Sequence, residues 1–186
     1  MVIKALRDAG VKASQDRRDV VVHSQFMRPE QLDSYVELGI VPSFFTSHAF
    51  YWGDTHLQNL GEERASFLSP MKSAKEKGLR FSNHTDSMVT PLNPMMPLWS
   101  AVARQSRSGR IIGPDQRVSA LDSLRALTID AAYQYHEEKI KGSIEKGKLA
   151  DFVILDKNPL KVPADDLRNL KVLETIKEGR TVFQAR

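Results

Sequence analysis

Over roughly the first 137 residues, apolar positions alternate between short continuous runs and helical stripes. Met1 to Ala13 reads as a short helix with Val2, Ile3 and Leu6 on one face. A polar turn, Ser14 to Arg18, feeds the β-branched run Val20-Val21-Val22. Pro29 opens the next helix where its missing N–H costs nothing, Leu32, Tyr35 and Val36 form its stripe, and Gly39 stops it. Ile40 to Thr46 is apolar at nearly every position and predicts a second strand, short or edge-exposed because of Pro42. An aromatic-rich excursion from His48 to Gly61 leads to a predicted helix over Glu62 to Lys77, closed by Gly78. Leu79 to Asn83 predicts a third strand, a proline-rich loop runs to Pro94, and Met95, Leu98, Trp99 and Val102 stripe another helix. Ser119 followed by Asp122 has the form of a cap for a helix over Ala120 to Tyr135.

From Ile140 the pattern changes. Gly142 and Gly147 mark turns, Ala150 to Leu155 predicts a strand, and Lys171 to Ile176 pairs with Thr181 to Phe183 across Glu178-Gly179. Two regions follow: an alternating strand–helix region, 1–137, and a β-rich region, 138–186. Alternation of this kind argues for an α/β fold with a parallel sheet, and near-continuous apolar strands fit burial on both faces. Three strands are too few to close a barrel, which needs eight.

Composition narrows the function classes. The 186 residues carry 27 basic and 23 acidic side chains, a net charge of +4. The basic residues are scattered, whereas nucleic-acid binding calls for a clustered patch. No cysteine is present, which excludes disulfides and thiolate metal sites and favours a reducing compartment. No apolar run approaches the ~18 residues of a membrane span, and charges interrupt the first eight residues too early for a signal peptide. The expectation is a soluble cytoplasmic protein with neither nucleic-acid nor membrane partners.

Each predicted strand is followed by a residue able to bind a metal or move a proton: His23, His48 and Asp86. They lie 25 and 38 residues apart, close to the repeat of a βα unit. Carboxyl ends of parallel strands open on one face, so the three should converge. His84 shares a side with Asp86 in extended backbone. Each also has a bland role: a histidine after a strand is more often structural, and an aspartate there often caps a helix or turn. His56 and His136 are expected at the surface. Arg104, Arg107 and Arg110 are expected on solvated loop or helix surface, with an anionic substrate group as the alternative partner of any of them, and the aromatic group Phe44, Phe45, Phe50, Tyr51 and Trp52 in core and loop packing.

Longer segments carry a resemblance. His23-Ser24-Gln25 is similar to the strand-six "HAQ" segment of the metal-dependent amidohydrolases, in their formamide-deformylase-like and exoenzyme-regulatory-protein-like branch. Phe44 to Asp54 resembles the strand-seven segment of that branch. His84-Thr85-Asp86-Ser87-Met88-Val89-Thr90-Pro91 resembles its strand-eight segment, with Met88 where proline is usual. Thr128-Ile129-Asp130-Ala131-Ala132-Tyr133 is similar to its "TxNAAY" helix, with Asp130 replacing Asn. Lys141 to Leu155 resembles the "GSIExGKxADxVxL" signature, in which Asp151 anchors a turn by hydrogen bonds.

The resemblance implies the carboxyl-terminal portion of a (β/α)8 metallo-hydrolase barrel, about three βα units, followed by a small β-sandwich segment. It implies a divalent metal, usually zinc, with His23 and Asp86 as ligands. Asp86 would also be the catalytic base, and His48 and His84 would lie against an amide or formamide substrate. No H-x-H pair occurs in the chain, so a full ligand set is lacking and no metal need bind these residues alone. The chain is therefore expected to be the carboxyl-terminal segment of a larger amidohydrolase, inactive by itself, its barrel completed by a missing amino-terminal part. Two other expectations stand beside this one. The first is a non-catalytic regulatory or interaction module reusing the fold. The second is a homo-oligomer that builds composite metal sites.

Overall fold

The computed structural model describes all 186 residues. In chain order they form α1 (Val2–Asp8), β1 (Val20–His23), α2 (Pro29–Leu38), β2 (Val41–Phe44), α3 (His48–Ser66), α4 (Met71–Glu76), β3 (Ser82–Asn83), α5 (Met95–Ala103), α6 (Ala120–Leu127) and α7 (Ile129–Gln134). Then come β4 (Phe152–Leu155), β5 (Val172–Lys177) and β6 (Arg180–Gln184). The architecture is mixed α/β, as the pattern predicts.

β1, β2 and β3 form a parallel sheet in that order. Val20 stands opposite Val41 and His23 opposite Phe44, while Phe44 stands opposite Asn83. His23, Phe44 and Asn83 therefore make one row across the carboxyl end of the sheet. Everything that follows those three residues leaves the sheet at the same rim. The other three strands form an antiparallel meander, β4-β5-β6, closed by the expected hairpin. Asp151 anchors it as expected: the Glu178 N–H donates to its carboxylate at 2.8 Å.

Four apolar clusters hold these elements. Leu32, Phe44, Met71, Phe81, Ala101 and Val118 fill the space between sheet and helices. Leu98 and Trp99 of α5 pack against Leu167 and Leu170, with Leu155 and Val172 at the margin. The second sheet thus shares a core with α5. A fully buried aromatic or aliphatic side chain of this kind contributes roughly 1.5–3 kcal/mol.

Three elements depart from the sequence pattern. The excursion from His48 to Gly61 is helical, the first part of α3. Its buried face is a stripe of small residues and a leucine, Ala49, Gly53 and Leu57, at helical spacing. A β-carbon at Gly53 would sit 2.8 Å from Ile112 Cγ1, so the close approach of α3 to the 112 segment requires glycine. The predicted helix over Glu62 to Lys77 is interrupted: α3 ends at Ser66 and α4 begins at Met71. Likewise the helix from Ala120 breaks at Thr128, whose φ of −126° and ψ of −93° divide α6 from α7. The Ser119 cap is present, with the Asp122 N–H donating to Ser119 Oγ at 3.1 Å.

Arg104, expected on solvated surface, is fully buried. It ends α5 in the left-handed region, with φ 50°. Its guanidinium donates to Ile112 O at 2.6 Å, Leu68 O at 2.6 Å and Ser69 O at 3.3 Å. Burial pulls its pKa down to about 9, which leaves it charged at neutral pH. The fork geometry of arginine suits three backbone acceptors fixed at different angles. Arg107 lies over the Phe50 and Tyr51 rings, and Arg110 pairs with Glu62 at 3.6 Å on exposed surface. Asp130 is buried in an ion pair with Arg80 at 2.6 Å, and Arg80 and Arg18 cover the Tyr133 ring at 3.9 and 3.7 Å.

Candidate metal and proton-transfer site

The polar rim is built on a buried network. Asn83 Oδ1 accepts the Thr46 N–H at 3.2 Å, and its amide nitrogen donates to Thr46 Oγ1 at 2.9 Å and Pro97 O at 3.1 Å. Thr46 Oγ1 also lies 2.8 Å from Ser100 Oγ. Three side chains thereby fix the ends of β2 and β3 against α5, and with them the directions in which residues 46–48 and 84–86 leave the sheet.

His23, His84 and Asp86 converge there. One ligand-capable atom from each lies within 4.8 Å of the others. His23 Nε2 is 3.5 Å from Asp86 Oδ2, and the His23 and His84 rings stack at 5.1 Å. Two of the backbone positions are strained. His23 has φ 68° and Asp86 φ 49°, left-handed values uncommon for residues other than glycine. Ser24, at φ 41°, continues the turn, which its hydroxyl pins by contacts to Val21 O at 3.0 Å and Tyr35 Oη at 3.2 Å. Strain of this kind persists where the surroundings over-determine it, and it clusters at functional sites.

His84 has a defined polarity. Its Nδ1 accepts the Asp86 N–H at 3.1 Å. A neutral imidazole with an accepting Nδ1 carries its hydrogen on Nε2. That Nε2 is buried and has no hydrogen-bond partner in the protein. His84 therefore presents a donor to the rim, while His23 and Asp86 supply lone pairs. An orphaned buried donor beside an imidazole and a carboxylate fits a divalent cation with a polar ligand next to it. His23 and Asp86 amount to two of the three protein ligands usual at a catalytic zinc.

His48 sits at the start of α3, its ring 6.1 Å from that of His23. Phe45, fully buried, underlies all three imidazoles, stacked on His84 at 5.2 Å, tilted to His23 at 5.7 Å and edge-on to His48 at 4.6 Å. Trp52 covers His48 from the other side at 4.4 Å. The structure thus brings together all four residues singled out from the sequence, His23, His48, His84 and Asp86.

Two residues of the site escaped that reading. His56, expected at the surface, is half-buried; its Nε2 lies 3.3 Å from His48 Nδ1, and its ring stacks on His48 at 5.6 Å. Gln25 touches both, its amide nitrogen 2.9 Å from His48 Nδ1 and 3.2 Å from His56 Nε2. The eight-residue separation of the two histidines gives this away only once residues 48–56 are known to be helical. Of the aromatic group, Phe45 and Trp52 wall the site, whereas Phe44 and Phe50 pack as expected.

Burial pushes the His48 pKa down to about 4, with repulsion from His56 and His23 adding to it and Asp86 opposing. Burial also lowers His56, and burial together with His23 lowers His84. The unfolded chain would take up a proton on His48 near pH 6.5, whereas the folded chain resists until about 4. Stability contributed by keeping this ring neutral is complete above pH 6.5 and falls as pH drops through that window. Histidine-resolved NMR titration should find a His48 midpoint near 4, and urea midpoints should decline between pH 6.5 and 4. A His48 midpoint near 6.5 would contradict the packed ring cluster.

A parallel α/β sheet with imidazoles and a carboxylate at its carboxyl rim has the donor set to hold a metal ion. The chain belongs to the amidohydrolase family, whose model matches residues 1–183. It is 32% identical over 169 residues to N-substituted formamide deformylase of Arthrobacter pascens, covering 89% of this chain and 31% of that protein. It is 31% identical over 179 residues to the protein LONG AFTER FAR-RED 3 of Arabidopsis thaliana, covering 94% and 30%. A solved metal-dependent hydrolase from Pyrococcus furiosus superposes with a TM-score of 0.70 at 26% identity, covering 86% of this chain and 31% of the other. The chain spans about a third of the length of these relatives. No helix is long and apolar enough to cross a membrane.

Proposed function

We propose that these residues form the carboxyl-terminal part of a (β/α)8 barrel in a metal-dependent amidohydrolase acting on an amide or formamide C–N bond. The observation that carries this is the convergence of His23, His84 and Asp86 within 4.8 Å at the strand-end rim. His23 and Asp86 would hold a divalent metal, zinc in the first instance, and further ligands would come from outside these 186 residues. When bound, the metal supplies Lewis-acid polarisation and lowers the pKa of water at the site to about 7.

The chain's own groups then divide the work. The Asp86 carboxylate takes a proton from the attacking water and returns it to the leaving nitrogen. Its left-handed backbone and the hydrogen bond from its N–H to His84 fix where that carboxylate points. The buried His84 Nε2–H donates to a substrate oxygen. His48, walled by Phe45 and Trp52, offers a neutral ring to the developing oxyanion. The apolar floor under the three imidazoles keeps the local dielectric low, which strengthens each of these interactions.

The test is a chimera in which this chain replaces the matching third of the A. pascens deformylase. The expected result is chelator-sensitive hydrolysis of N-substituted formamides by the chimera and none by the 186-residue chain alone with added Zn²⁺, Mn²⁺ or Co²⁺. A folded, metal-loaded chimera without hydrolysis would favour a non-catalytic module that reuses the fold. Hydrolysis by the chain alone would overturn the incomplete-site reading.

A further inference from the structure

We propose that Gln25 is a positioning residue that sets the tautomers of His48 and His56, and that the buried guanidinium of Arg104 holds Gln25 in place to do so. A side-chain amide nitrogen has two hydrogens and no lone pair to offer, so a ring nitrogen facing it must accept. Gln25 Nε2 faces His48 Nδ1 at 2.9 Å and His56 Nε2 at 3.2 Å. Both ring nitrogens therefore carry lone pairs toward the amide. Each neutral ring must then bear its hydrogen on the opposite nitrogen: His48 on Nε2 and His56 on Nδ1.

The consequence falls on the rim. His48 Nε2–H makes no hydrogen bond within the protein, so this tautomer turns His48 into a donor toward a ligand. Without the amide, the ring could equally present a lone pair there, which would repel an oxyanion. Two facing acceptors 3.3 Å apart are unfavourable on their own, and the amide between them is what makes that arrangement hold.

Gln25 is itself tied down from the far side of the molecule. Its backbone carbonyl accepts the Ser69 N–H at 2.9 Å, and Phe26 pairs with Leu68 in an antiparallel bridge, which fixes the backbone from which the amide side chain projects. The carbonyls of Leu68 and Ser69 are two of the three gripped by Arg104. A continuous path therefore runs from a buried cation through one turn to an amide and on to two imidazoles. Arg104 also staples the 112 segment through Ile112 O, and it touches none of His23, His84 and Asp86.

The use of His48 as a substrate donor rests on the function proposed above, but its tautomer does not. The experiment therefore reads tautomers directly, by long-range ¹H–¹⁵N spectra of the ¹⁵N-histidine-labelled chain at pH 7.5, without metal or substrate. Wild type should show a pyridine-like Nδ1 and pyrrole-like Nε2 for His48, and the reverse for His56. Gln25→Glu, whose carboxylate can only accept, should invert His48 to the Nδ1–H form. Gln25→Met should give a mixture of both forms. Arg104→Lys should move the Gln25 side-chain amide and His48 ring signals toward those of Gln25→Met, while leaving the His84 tautomer as it is. An Nδ1–H His48 in wild type, or no inversion in Gln25→Glu, would overturn the proposal whatever the fate of the Arg104 variant. In the chimera, Gln25→Met should lower kcat more than it raises KM; failure there with the tautomers as stated would count against the role of His48 alone.

Discussion

Arg104→Met lowers the unfolding free energy by about 3–5 kcal/mol, the largest loss expected from any single side chain outside the apolar core. Methionine keeps most of the aliphatic volume, so the loss is not a cavity effect. What disappears are donors to Leu68 O, Ser69 O and Ile112 O. Ser69 O retains a second partner in the Met71 N–H at 2.8 Å. The other two carbonyls remain buried, and each unsatisfied group costs about 1–3 kcal/mol. Urea unfolding of wild type and variant measures the difference. A loss below about 1 kcal/mol would mean that water reaches these carbonyls and that the arginine is not the staple its bonds imply. Arg104→Lys should fall between the two, because one ammonium cannot span three acceptors in the fork geometry.

Residues with local signatures were legible in the sequence, and residues whose role depends on packing were not. His23 ends an apolar run and Asp86 lies just beyond another, and a parallel sheet carries strand ends to one rim, so the pattern pointed to their convergence and the family resemblance strengthened it. The Ser119 cap and the Asp151 anchor are local chemistry and came out as expected. Arg104 looks like any charged residue near a helix end, and only its position opposite residues 68, 69 and 112 shows it as interior. The helical nature of residues 48–60 was hidden because its buried stripe is made of Ala49, Gly53 and Leu57, weak apolar signals beside conspicuous aromatics. Missing that helix meant missing His56, which reaches His48 only from two turns further along it. The break at Thr128 was hidden for the opposite reason: the periodicity of α6 continues into α7, and only the backbone at Thr128, with φ −126° and ψ −93°, divides them.

Asp86→Asn in the chimera should reduce kcat/KM by a factor on the order of 10²–10⁴, the range ascribed to a positioned general base. Asparagine matches aspartate in shape and tolerates the left-handed backbone at φ 49° better than most residues. The hydrogen bond from the backbone N–H of residue 86 to His84 Nδ1 does not involve the side chain and survives the change. Stability should therefore stay within about 0.5 kcal/mol of wild type, as for substitutions that break no buried network. The distinction matters because the carboxylate is asked to do two things, hold a metal and move a proton. Metal content per chain and the pH–rate profile separate them. Loss of metal together with activity assigns the defect to binding. Retained metal with loss of the acidic limb of the profile assigns it to proton transfer. A variant that hydrolyses formamides at near wild-type rates would remove Asp86 from the chemistry, and the strained turn that presents it would need another explanation.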